Sequence, residues 1–76
     1  MIETKYDLAG PGGIRVWTNL PEGVKLTLTN GDVAQVVENA RDGGYILCKF
    51  LESPQNPARV GQEEYVFFNE VRSASD

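Results

Sequence analysis

Apolar and polar residues alternate most regularly at Val24, Leu26 and Leu28, which are separated by Lys25, Thr27 and Thr29. A period of two marks a strand with one buried face. Asn30-Gly31 follows, and both residues tolerate the positive φ of a two-residue hairpin turn. Residues 32–42 admit two readings. As a helix, Asp32 is the N-cap, Gln35 completes a capping box, and Val33, Val36, Val37 and Ala40 share one face. As a strand, the segment is the second arm of a hairpin. The asparagine-glycine signal and the short connections favour the strand. Simple pairing across the turn sets Leu28 opposite Val33 and Leu26 opposite Gln35. A bulge near Ala34 is then expected to bring Val36 to the apolar face.

A glycine turn, Arg41-Asp42-Gly43-Gly44, leads into Tyr45–Leu51, which is apolar on both faces except at Lys49. Ile46, Cys48 and Phe50 are assigned to the core, and Tyr45, Leu47 and Leu51 to the opposite side. Glu64–Phe68 reads as the last strand, with one 3₁₀ turn over Asn69–Val71. Between them, Asn56 before Pro57, with Gly61 beyond, predicts at most one helical turn. Upstream, Ile2, Tyr6 and Leu8 suggest an edge strand, Gly10–Gly13 a break, and Ile14–Thr18, being β-branched and aromatic, another strand. Residues 72–76 are small and polar and are expected to fray.

These elements predict an all-β chain, a small barrel of about five strands with at most one or two short helical turns. The alternative is α+β with one helix at about 32–42. A length of 76 residues implies a single domain: an N-terminal edge segment and turn over 1–12, the barrel over 13–71, and the tail.

The order over about residues 24–71 resembles the SH3-like small β-barrel family. The pieces are Gly31–Val37 as part of a bent hairpin, then Gly43-Gly44-Tyr45-Ile46-Leu47-Cys48-Lys49-Phe50, and, after a variable loop, Tyr65–Val71 as a last strand running into a 3₁₀ turn. The resemblance implies a role in binding proteins, peptides or nucleic acids, or as an accessory subunit, with no common catalytic site. The acidic, tyrosine-rich first loop of the peptide-binding members has no counterpart here.

Charge and chemistry narrow this further. Eleven acidic and seven basic residues give a net charge of −4, which disfavours nonspecific binding to phosphate backbones. The chain has no histidine and one cysteine. A structural zinc site within one chain and the Ser–His and Cys–His pairings are thereby excluded. Glu63 and Glu64 point to opposite faces of a strand and form no dyad, and Asp7, Asp32 and Asp42 read as turn residues. No enzyme activity, cofactor or metal is expected. No apolar run is long enough to cross a membrane and no signal peptide is seen, so a cytoplasmic location is expected, with Cys48 buried.

The leading expectation is a protein-interaction module, binding a partner or a second copy of itself through an aromatic and apolar face. The candidates are Trp17, Tyr45, Leu47, Leu51, Tyr65 and Phe67. A second class is single-stranded nucleic acid on Arg15, Lys25, Arg41 and Lys49; a third is a small ligand in the barrel mouth.

Overall fold

A computed structural model describes residues 6–8 and 10–75. Five antiparallel strands form one sheet in the order β4-β3-β2-β1-β5: β1 (Lys25–Leu28), β2 (Val33–Glu38), β3 (Ile46–Glu52), β4 (Glu63–Val66) and β5 (Val71–Ser75). One short helix, α1 (Gly13–Thr18), precedes them, and 3₁₀ turns occupy Pro57–Arg59 and Phe68–Glu70. The chain is therefore all-β, and its small sheet is compatible with a small β-barrel. Residues 32–42 hold a strand and no helix.

The β1–β2 turn departs from the expected two-residue form. The Leu28 N–H donates to Asp32 O at 2.8 Å and the Gly31 N–H to Leu28 O at 3.0 Å, closing a three-residue loop in which Gly31 takes a φ of 93°. This pairing shifts the register by one residue, to Thr27↔Val33 and Leu26↔Ala34. Ala34 and Val36 thus reach the apolar face without the expected bulge in this pair. The irregularities lie instead between β2 and β3, at Val33/Ala34 and Val36/Glu38. The shift also carries Asp32, level with Leu28, onto the inner face.

Residues 14–18 form a helix rather than the expected strand. Gly13, Trp17 and Leu20 are buried and Val16 is half-buried, the i, i+3, i+4, i+7 spacing of a helix face. A six-residue helix has little stability of its own, so packing overrides the β-propensity of Ile14, Val16 and Thr18. Gly13 permits that packing: a Cβ there would lie 2.2 Å from Leu8 O.

The tail expected to fray is instead β5 as far as Ser75. It pairs with β1 through Lys25↔Ser75, Leu26↔Ala74 and Thr27↔Ser73, and Ala74 is buried. Of the expected edge strand Ile2–Leu8, residues 2–5 lie outside the described residues; Tyr6 bridges Ala74. The core gathers Leu8, Trp17, Leu20 and the inner residues of all five strands, Ile46, Cys48 and Phe50 among them. Phe68 packs on Trp17 with ring centroids 5.9 Å apart.

Candidate functional site

On the outer face, the β3–β4 register sets Leu47 opposite Tyr65. One step further along the same face, beyond Ile46↔Val66, Tyr45 meets Phe67 with ring centroids 4.9 Å apart. Two adjacent cross-strand pairs therefore form a single aromatic patch. Tyr45 is 60% exposed and Tyr65 68%, whereas Leu47 and Phe67 are half-buried beside them. Ala40, Asp42, Gly44, Tyr45 and Tyr65 line a recess of about 580 Å³ at this patch.

The recess wall, residues 39–44, is held by α1. Trp17 Nε1 donates to Gly44 O at 2.9 Å. The Asn39 side-chain amide donates to Leu20 O at 2.9 Å and Thr18 O at 3.1 Å, and Arg41 donates to Asn19 O at 3.1 Å. Asn39 and Arg41 thus satisfy carbonyls at and just beyond the C-terminal end of α1. Within the wall, the Gly44 N–H donates to Asp42 Oδ1 at 2.9 Å, which orients that carboxylate.

Four of the six expected interaction residues, Tyr45, Leu47, Tyr65 and Phe67, thus come together. Trp17 does not: it is wholly buried and supports the recess from beneath. Leu51 is half-buried at the far end of β3. The basic candidates form no common groove. Lys49 and Lys25 share one transverse row of the sheet, Glu63–Lys49–Gln35–Lys25–Ser75. Arg15 is exposed on α1, and Arg41 is engaged with Asn19 and lies 3.9 Å from Glu22.

A second cluster escaped the sequence reading. Asp32 is not an exposed turn residue but almost wholly buried, and Glu64 is not freely solvated. Arg59 joins them. Its Nε and Nη2 each donate to Glu64 at 2.9 Å and its Nη1 to Asp32 Oδ2 at 3.0 Å, while its guanidinium lies 4.0 Å from the centre of the Phe50 ring. These bonds hold the Glu64 carboxyl below its ordinary pKa and push the Arg59 pKa up. Asn30 also donates to Asp32 Oδ2, at 3.3 Å, whereas Asp32 Oδ1 finds no partner among the described residues. The three charged groups are committed to one another, and the cluster reads as a structural clamp.

Cys48 is fully buried, and burial pushes its thiol pKa up to about 12. Because the thiolate is the reactive species, a thiol-specific aromatic disulfide reagent is expected to label Cys48 only as fast as the chain unfolds. Reaction that outpaces unfolding, measured by denaturant dilution, would contradict this burial. Among the described residues, no group of three or more His, Cys, Asp or Glu side chains is placed to hold a metal ion, and no helix is long and apolar enough to cross a membrane.

No family model matches the chain, and neither a curated protein nor a solved structure does.

Proposed function

We propose that this chain is a non-catalytic interaction module of SH3-like barrel type, and that it binds a protein partner through the patch of Tyr45, Leu47, Tyr65 and Phe67. The observation that carries this reading is the exposure of two tyrosines side by side on a sheet face, over a preformed recess. Exposed tyrosines contribute little to folding, yet tyrosine is enriched among residues that dominate binding energy. The held geometry of the 39–44 wall lowers the ordering cost that association must meet. The meander β1–β4, the 3₁₀ turn after β4, and β5 returning beside β1 support the SH3-like assignment. A cytoplasmic site accords with a single free buried cysteine.

The test separates folding from binding. Tyr65→Ala is expected to change unfolding free energy by less than about 0.5 kcal/mol. Tyr45→Ala is expected to cost about 1 kcal/mol, because it loses the ring contact with Phe67. A photoreactive benzoylphenylalanine in place of Tyr65 is expected to give a cross-linked adduct of discrete mass in cells. The same group in place of the exposed loop residue Gln55 is expected to give none. An adduct of twice the chain mass would make the partner a second copy. No adduct from position 65, or the same adducts from both positions, would overturn the reading.

A further inference from the structure

We propose that the recess between Tyr45 and Tyr65 takes an arginine side chain from the partner protein, with its guanidinium over a tyrosine ring and its fork on the Asp42 carboxylate. This rests on the interaction-module reading and names the chemistry of its occupant.

The lining carries one charge, that of Asp42, and two exposed tyrosines, with Ala40 and the backbone at Gly44 completing it. The surroundings add negative charge. Glu38 stands opposite Leu47 on the same outer face, and Glu63 lies two residues from Tyr65 on the same side of β4. Two cations stand close by: Arg41 turns to Asn19 O and towards Glu22, and Lys49, opposite Glu63 in the ladder, offsets that carboxylate, so the negative rim is that of Asp42 and Glu38. A recess that is aromatic at its centre and acidic at its rim is complementary to a cation.

The kind of cation follows from shape. Tyrosine faces attract positive charge, and a guanidinium can lie flat on a ring while its N–H groups pair with a carboxylate in plane. An ammonium group offers a point charge instead. Asp42 is suited to that pairing, because the Gly44 N–H fixes one of its oxygens while the residue stays exposed. The molecule already uses this combination internally, where Arg59 lies over Phe50 and forks onto Glu64.

The test titrates the ¹⁵N-labelled chain with capped glycine-X-glycine peptides in which X is arginine, citrulline, lysine or leucine. Citrulline keeps the shape of arginine without its charge. With the arginine peptide, amide shifts are expected to centre on residues 42–45 and 65–67, with millimolar affinity at least about tenfold tighter than with citrulline. Asp42→Asn is expected to weaken arginine binding about threefold to tenfold while leaving thermal stability unchanged. Tyr65→Ala is expected to abolish it. Leucine or citrulline binding the recess as tightly as arginine would overturn the inference yet leave an interaction face in place. Lysine binding as tightly would overturn the guanidinium assignment. No shift at the recess with any peptide would also overturn it, and the cross-linking experiment at position 65 would then decide the parent reading independently.

Discussion

Arg59→Ala is expected to lose about 3–5 kcal/mol of folding stability, because it leaves the Asp32 carboxylate inside the protein without its counter-charge. A chain of 76 residues has roughly 4–11 kcal/mol to lose, so a large share of the variant should be unfolded near physiological temperature. The loss comes mainly from stranding Asp32, since the pair between Arg59 and the more exposed Glu64 is worth less in water. Removing the stranded charge as well should therefore recover stability. Asp32→Asn combined with Arg59→Ala is expected to be more stable than Arg59→Ala alone, and Glu64→Gln alone to be mild. Urea unfolding of these proteins and of Asp32→Asn alone checks this, and a strictly additive double variant would contradict it. Acid should act in the same direction. The Glu64 pKa is depressed in the folded state, chiefly by its hydrogen bonds from Arg59. Its contribution is thus complete above its unfolded pKa and disappears as pH falls through the lower folded value. This part of the acid sensitivity should be missing from Arg59→Ala.

Trp17→Ala is expected to cost a further class of stability, about 3–5 kcal/mol, by emptying the largest fully buried side-chain position. Trp17→Phe is the sharper probe. It keeps most of the apolar contact but loses the hydrogen bond to Gly44 O, for about 1 kcal/mol. The expected signature is local: faster amide exchange over residues 39–45 than over β1, and weaker binding at the recess from a substitution that does not touch it. Uniform acceleration of exchange would mean that Trp17 supports the fold without singling out the wall. Because Trp17 is the only tryptophan, its native emission should be that of a buried indole and should shift to the red only on unfolding.

Val24–Leu28 was legible because burial on one face writes a period of two directly into the residue types. Tyr45–Leu51 and the run from Glu64 were legible instead as short apolar and aromatic stretches bounded by turn residues, and with them the outward group Tyr45, Leu47 and Tyr65. The turn at 57–59 was legible from Asn56-Pro57, although the Asn56 side chain makes no cap. What was not legible depended on contacts distant in sequence. α1 has the right spacing, but its local propensities favour a strand, and only docking against Leu8 and the sheet decides between them. Trp17 followed α1 to the interior. β5 offers two apolar residues, Val71 and the small Ala74, whose spacing of three fits no alternation, and it is held by backbone pairing to β1. Asp32 and Arg59 are 27 residues apart. Their meeting follows from a register set by one extra residue in a turn, which composition alone could not resolve.

That turn also constrains how such a chain can diverge. Along β2, side chains change face with every step of one residue. Closing the turn on Asn30-Gly31 alone would slide β2 by one residue against β1, swing Ala34 and Val36 outward, and bring Val33 and Gln35 in. A residue lost within Thr29–Gly31 leaves the Leu28–Asp32 closure available and is tolerable, whereas one lost between Asp32 and Val36 must be matched by a bulge in the same strand. Among related sequences the spacing from Asp32 to Val36 should therefore drift far less than the length of the turn, and a gap of one in that interval would mark a chain with a differently ordered interior.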